Sequence, residues 1–362
     1  MRTDELTLRV PLTKLVTGLC LTVIPISLLG LYTVNRADSA LERTVGGNLE
    51  TIAVANATRV STYIHDRVVQ VGALTRLPTV IEAVTAANRA TASVSDAAFQ
   101  DKIQRIEKIW TTPAADGMVK ELLGSAASRT LRSQLVADPR LLRITLTDEH
   151  GAAIAATHKT LDYYQADEDF WQAIHAQGRG AVNLTEILYD EVTKTNYIGI
   201  GVPVMELETN RFIGTLDVLM DLSSIFPTAR YPGSSMQIQL VKDDGTIIAG
   251  SDVTLSMKVK SPAWAAVAEV SSSSSRSSGN LRATLSDRQE QLIAFADTGL
   301  RNDYKNLSWV VLVTQNAAES LAPIRTVVRL FFLFAAAGLA ALVLLTVYLS
   351  LHRKVHYEGI AS

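Results

Sequence analysis

Residues 162–203 read DYYQADEDFWQAIHAQGRGAVNLTEILYDEVTKTNYIGIGVP. Aromatics and carboxylates crowd here as nowhere else in the chain. Tyr163, Tyr164, Phe170, Trp171, Tyr189 and Tyr197 alternate with Asp167, Glu168, Asp169, Asp190 and Glu191. Aromatic walls carrying a few placed charges are the usual build of a small-molecule pocket. The stretch also sets the element order. Residues 167–177 make a short helix with acids in its first turn and Gly178 as its stop. Residues 181–188 are extended, and 196–202 alternate as a strand.

Upstream, residues 41–135 repeat apolar positions at helical spacing. Leu41, Val45, Leu49 and Ile52 are followed by Val60, Ile64, Val68 and Val71. Gly46-Gly47 reads as a kink, Pro78 as a kink or stop, residues 88–96 as a turn, and Met118 to Leu135 as one further helix. Strands begin at Arg140, where Leu142, Ile144 and Leu146 alternate with Arg143, Thr145 and Thr147. Residues 211–222, RFIGTLDVLMDL, form another alternating strand with Asp217 in its middle. The segment LTDEHGAAIA at 146–155 matches LVKDDGTIIA at 240–249, each a strand, an acidic turn with glycine, and a strand. The second copy continues through a short helix near Trp264 to the strand LSWVVLVTQ. Residues 271–278, SSSSSRSS, read as a loop within it. The fold class is therefore α+β, with two antiparallel modules in tandem.

Two apolar runs reach the length of a membrane-spanning helix, residues 15–34 and 327–351. The expected order is a cytoplasmic N-terminus (1–14), a first span (15–34), a helical stalk (35–137), a membrane-distal module (138–233), a membrane-proximal module (234–316), a signalling helix with a second span (317–351), and a cytoplasmic tail (352–362). Both termini then lie on one side of the membrane, although Lys/Arg flank both ends of both runs. The 362 residues carry a net charge of −2 and one cysteine, Cys20. That balance, without a basic stripe or a finger motif, argues against nucleic acid. An intrachain disulfide is impossible. The histidines lack metal-ligand spacing, and no phosphate-binding glycine loop or nucleophile elbow is present. No catalytic residue, metal ligand or cofactor is assigned. Trp171 and Tyr189 also fit a core role, Asp167 to Asp169 also suit a helix N-terminus, and Asp190 also suits a solvated turn.

This order of span, long helix, strand–acidic turn–strand, then Tyr164 with Trp171 and Tyr189-Asp190, and Gly214 opening the module's last strand, resembles the double-Cache sensor domain of bacterial chemoreceptors and sensor kinases. The resemblance covers about residues 35–322. It implies PAS-like modules outside the cytoplasmic membrane, a distal module that binds the ligand, a proximal one that relays, and a homodimer. In amino-acid-binding members an arginine on the pocket helix holds the ligand carboxylate. Here Asp169 stands at that position, Gln172 replaces a second tyrosine, and Leu219 stands where a strand acid would fall.

The expected function is a two-pass sensor of the cytoplasmic membrane, binding rather than catalysing. Its ligand-binding residues would be Tyr164, Asp167, Asp169, Trp171, Tyr189, Asp190, Tyr197 and Asp217. Four aromatic rings with acids among them favour a cationic or amine-bearing molecule, with Ca²⁺ held by the acids as the runner-up. The competing expectation is an accessory or scaffold membrane protein whose output belongs to a separate cytoplasmic protein.

Overall fold

The computed structural model describes residues 12–190, 195–222, 225, 235–250, 259–274, 276–285, 288–320 and 322–358. Helix α1 spans Leu12–Leu74 and runs through Gly46-Gly47 without a break. At ~1.5 Å per residue its 63 residues reach roughly 95 Å. Four helices follow: α2 (Pro78–Thr91), α3 (Asp96–Trp110), α4 (Asp116–Gly124) and α5 (Ala126–Ala137). Pro78 opens α2, where its missing N–H costs nothing. The single helix expected across 118–135 is two helices. Ser125 is extended, and its hydroxyl accepts the Ser128 N–H at 3.1 Å, so it caps α5 rather than continuing α4.

The first sheet contains β1 (Leu141–Thr147), β2 (Ala153–Ala156), β3 (Asn183–Leu184), β4 (Leu188–Asp190), β5 (Thr195–Met205) and β6 (Phe212–Asp221), ordered β2-β1-β6-β5-β3 with β4 also on β5. Between β2 and β3 lies α6 (Asp169–His175). It ends where Ala176 and Gln177 turn left-handed, shorter than the helix read from the sequence. The second sheet contains β7 (Gln237–Lys242), β8 (Ile247–Gly250), β9 (Ser278–Thr284), β10 (Glu290–Asp297) and β11 (Trp309–Asn316), ordered β8-β7-β11-β10-β9. Helix α7 (Trp264–Ser274) precedes β9. The serine tract is thus helical through Ser274, because the helix that buries Val267 continues into it. After β11 come α8 (Ala317–Ser320) and α9 (Ala322–Glu358).

The internal repeat is a duplication of architecture. The two strand orders are equivalent, and the turns match in detail. Gly151 and Gly245 both adopt positive φ, at 89° and 84°. Each donates back to the strand end, to Asp148 and Lys242, and each carbonyl receives an N–H from a later loop residue, Gln165 and Ser261. Both first strands carry a bulge at the matching place, Leu146/Thr147 and Leu240/Val241.

One apolar stripe on α1 serves both sheets. Leu49, Ala53, Ala57, Val60, Ile64 and Val71 lie at spacings of three, four or seven and are buried in a core that includes Ile144, Leu216 and Ile200 of the first sheet and Leu240, Val311 and Val313 of the second. The sheets also meet directly. Asn196 donates to the Ile248 carbonyl (3.0 Å), Asn306 to the Leu184 carbonyl (2.9 Å), and Lys242 pairs with Glu186 (3.1 Å). Further down, Glu42, Gly46 and Glu50 at i, i+4 and i+8 of α1 meet Arg282, Asn280 and Ser278, alternate residues of β9. Four helical residues rise ~6 Å and two strand residues ~6.8 Å, so the two series stay in step.

Among the described residues one helix is long and apolar enough to cross a membrane, at Val328–Leu345 within α9, with mean hydropathy 2.4 and its surface exposed. The backbone of 15–34 is helical as part of α1, but most side chains of that first expected span lie outside the described residues. Gly30 lies against the ring of Phe331, so α1 and α9 pack closely there.

The α1–β9 interlock has a direct test. A Cβ at Gly46 would stand 2.5 Å from Asn280 Oδ1, whereas Gly47 faces open space. Gly47→Ala should raise unfolding stability by about 0.5–1 kcal/mol through helix propensity, and Gly46→Ala should lose that gain to the displaced Asn280–Glu50 bond. Equal gains in urea unfolding would refute the interlock.

Candidate functional site

Register determines which side chains share a face of the first sheet. Thr145 pairs with Asp217, and Asp217 with Gly201; Arg143 pairs with Leu219, and Leu219 with Gly199. Residues opposite one another in antiparallel strands point to the same side, and alternate residues repeat it. Arg143, Thr145, Thr147, Thr215, Asp217, Leu219, Gly199 and Gly201 therefore form one face, turned away from the α1 core. Helix α6 covers part of it. Ile174 sits over Gly201, where any Cβ would collide with its side chain. The Trp171 indole N–H donates to Thr147 Oγ1 at 3.1 Å, and Thr147 in turn bonds Thr215 at 2.8 Å. The helices α3 and α4 close the β2 side, with Trp110 stacked obliquely on Tyr163 (centroids 5.2 Å) above Ala153 and Ala156.

Asp217 is 8% exposed, and no described residue donates a hydrogen bond to its carboxylate. Burial pushes its pKa up to about 6, and the Arg143 charge opposes that rise. Arg143, diagonal to it across β1 and β6, has a buried Nε–H without a partner. The Arg143 Nε–H is thus a buried donor without a partner, and beside it the largely desolvated Asp217 carboxylate takes no hydrogen bond from a described residue, which is costly unless something else supplies one.

The second module shows what this face looks like when it is only a core. By register, Gln239 corresponds to Thr145, Leu312 to Asp217, Phe295 to Gly201 and Ile293 to Gly199. There Leu312, Phe295 and Ile293 pack under Ala263 and Val267 of the α7 segment as a closed apolar cluster. The first module has replaced two large side chains with glycine and a leucine with aspartate. The change removes volume and adds charge at one spot.

The residues singled out in the sequence are only partly brought together. Asp217 is at the centre of the face. Tyr197 shares the face, half-buried, near its end opposite Asp221. Trp171 is buried, but its N–H is committed to Thr147 and its ring stacks on His175 at 4.8 Å, so it fastens α6 to the sheet. Tyr164 is half-buried at the rim among Phe99, Ile103 and Ala152. Asp167 and Asp169 are exposed at the start of α6, pointing away from the site, as helix N-termini favour. Tyr189 pairs with Asn196, which places it on the opposite side of the sheet from Asp217. Asp190 pairs with Thr195 through the backbone, and its side chain lies outside the described residues. The four-ring box around three acids is therefore not formed.

Several residues that matter were not singled out. Arg143 is one. Glu107 is another, since its carboxylate accepts the N–H groups of both Tyr163 and Tyr164 at 2.7 Å and ties the loop before α6 to α3. Trp110 donates to the Thr160 carbonyl at 3.0 Å and packs under Lys159. Burial, then the charges of Asp148 and Glu107, push the Tyr163 hydroxyl up to about 12, so it stays protonated. Asp148 closes the β1–β2 turn by accepting from His150 and Ala152, while burial raises its own pKa. Among the described residues no cluster of His, Cys, Asp or Glu could hold a metal ion.

The chain thus carries two tandem α+β modules on a long shared helix, one of them with a charged inner face. The Cache domain family model, in its double-module form, matches residues 37–324, and the chain belongs to that family. Cache domains are sensor domains of membrane receptors. No curated protein matches the chain. Solved structures similar to it include the ligand-binding domain of the Pseudomonas aeruginosa amino-acid chemoreceptor PctC in complex with GABA, at 15% identity over 75% of this chain and 100% of that one, TM-score 0.46. The ligand-binding domain of the Campylobacter jejuni chemoreceptor Tlp3 with L-norvaline is 14% identical over 78% and 94%, TM-score 0.48. That of the Pseudomonas fluorescens chemoreceptor CtaA with L-leucine is 14% identical over 78% and 99%, TM-score 0.46.

The buried carboxylate makes stability depend on pH. Asp217 has a folded pKa of about 6 against 3.8 for the free group. The native state therefore holds the proton more tightly, and the associated stability is complete below about pH 4 and lost as pH rises through 6. Asp217→Asn should flatten that part of the profile, gaining up to roughly 3 kcal/mol over the parent between pH 4 and pH 8. Thermal melts across this range that stay parallel for parent and variant would show that Asp217 is not desolvated.

Proposed function

We propose that this chain is a two-pass sensor of the cytoplasmic membrane that binds a small extracytoplasmic molecule on the inner face of its first, membrane-distal sheet. It relays occupancy through the second, membrane-proximal sheet into α9. The observation that carries this reading is the pair of unmet groups, Asp217 and Arg143, on a face that the duplicate module fills with Leu312, Phe295 and Ile293. Asp217 favours a ligand with an amine, because a charge-assisted hydrogen bond there would supply the missing donor. From the sequence, Asp169 stands where amino-acid-binding members carry the arginine that holds a ligand carboxylate. Arg143 supplies one, so a ligand acid group next to the amine is compatible with the site. The chain acts by binding rather than catalysis, and a homodimer agrees with the commonest closed symmetry of oligomers.

The ligand reading is tested by calorimetry on the full chain in lipid nanodiscs, against simple amines, amino acids, dicarboxylates and Ca²⁺. Amine-bearing molecules should bind, more tightly as pH rises through 6. Asp217→Asn should weaken them by about tenfold or more. Arg143→Met should weaken only those that also carry an acid group. Tight, metal-free binding of a dicarboxylate that is indifferent to Asp217→Asn would overturn the assignment.

The relay is supported by how β11 joins the membrane helix. The Ala318 N–H donates to Asn316 Oδ1 at 2.8 Å, and Glu319 accepts the Ser235 N–H at 3.0 Å, which fixes α8 to the second sheet. A short Gly-Ser insertion after Ser320 should leave ligand affinity intact and abolish the response of an output domain grafted after α9. An undiminished response would remove α9 as the lever.

A further inference from the structure

A cavity of about 290 Å³ opens between α1 and the end of the β9–β10 pair, well away from Asp217. Its α1 wall carries Val54, Thr58, Ser61 and Thr62, and its sheet wall carries Ser277 and Asp297. The size is at the lower end of the roughly 300–1,000 Å³ typical of small-molecule pockets.

The chemistry of the walls is specific. Serine and threonine hydroxyls inside helices commonly turn back onto the carbonyl four residues earlier. Thr44 and Thr51 of this same helix do so, at 2.9 Å each. Thr58, Ser61 and Thr62, at i, i+3 and i+4, do not. Among the described residues neither they nor the Ser277 hydroxyl has a protein partner, and Thr58, Thr62 and Ser277 are open to solvent. Each hydroxyl can donate one hydrogen bond and accept others. Asp297 spends Oδ1 on the Gly299 N–H at 2.7 Å and keeps its other oxygen as an acceptor. The lining holds no aromatic ring and no cationic side chain. It therefore offers neither stacking nor an anion partner, but a closely spaced set of groups that both give and take hydrogen bonds.

The cavity also lies between two polar ties. Below it, Glu50 of α1 accepts from Ser278 at 2.9 Å and from Asn280 at 2.7 Å. Above it, His65 Nε2 meets Asp303 Oδ2 at 3.1 Å while Nδ1 meets the Ser61 carbonyl at 2.8 Å. Between these ties Ala53, Ala57 and Val60 of α1 are buried in the shared core, and the cavity opens along the outer edge of that contact.

We propose that this cavity is a second small-molecule site, for a neutral polyhydroxyl ligand that bridges α1 and the second sheet. Vicinal hydroxyls on such a molecule match the α1 triad on one wall and Asp297 with Ser277 on the other. The bound molecule adds hydrogen bonds across the outer edge of the α1–sheet contact, stiffens the hold of α1 on the module that leads into α9, and so adjusts the response to the first ligand without touching the first site.

The test uses the full chain in nanodiscs, free of sugar detergents, with glycerol, myo-inositol and glucose followed by saturation-transfer NMR. At least one should bind saturably. Thr58→Val with Ser61→Ala, which keeps side-chain volume and removes two hydroxyls, should weaken that binding about tenfold or more at an unchanged melting temperature. Ser277→Ala, on the opposite wall, should weaken it independently. Asp217→Asn should leave it unchanged, which separates this site from the first. Absence of saturable binding by all three probes, binding indifferent to both sets of variants, or binding of ethanolamine in place of the polyols would overturn the proposal.

Discussion

The stripe of small and β-branched side chains along α1 is shared by two sheets, and the fold depends on that sharing. Leu49, Ala53, Ala57, Val60, Ile64 and Val71 are each at most 3% exposed. A sheet with one face against α1 and the other under its own short helices has no large surface left over. Removing α1 would strip both sheets at once. Packed interiors transmit displacement because they resist compression. The two sheets are therefore joined through one continuous core, together with the Asn196 and Asn306 bonds that cross between them.

Duplication leaves one module with a filled apolar face, while the other gives up large side chains at the matching positions. In the second module, Leu312, Phe295 and Ile293 bury large apolar side chains on the face under α7. In the first, the matching positions are Asp217, Gly201 and Gly199. The glycines let Ile174 and Thr185 approach the sheet backbone, and the Thr185 hydroxyl accepts the Gly199 N–H at 2.8 Å. The aspartate carries a desolvation cost that shows in its raised pKa. Such local departures from the best core cluster where a protein meets its ligand.

Much of the fold was legible because it rests on periodicity. The three- and four-residue spacing of α1, the alternation of β1, β5 and β6, and the paired turns at Gly151 and Gly245 are local signals. The site was harder to read because it depends on register. Arg143 lies well upstream of the aromatic stretch and meets Asp217 only through the pairing of β1 with β6. Tyr189 and Tyr197 look alike in sequence, but the pairing of β4 with β5 puts them on opposite sides of the sheet. Asp169 begins α6, so the macrodipole explains it and the site does not need it. One signal was present and unused. Extending the repeat beyond the hairpin to the last two strands of each module sets Asp217 against Leu312 and Gly201 against Phe295.

The most direct test of a shared core is hydrogen exchange of the full chain in nanodiscs at increasing urea. Peptides from β5 and β6 should lose protection at the same denaturant concentration as peptides from β10 and β11, because neither sheet keeps its core without the other and α1. Two well-separated midpoints, with one sheet fully protected while the other has opened, would contradict the account.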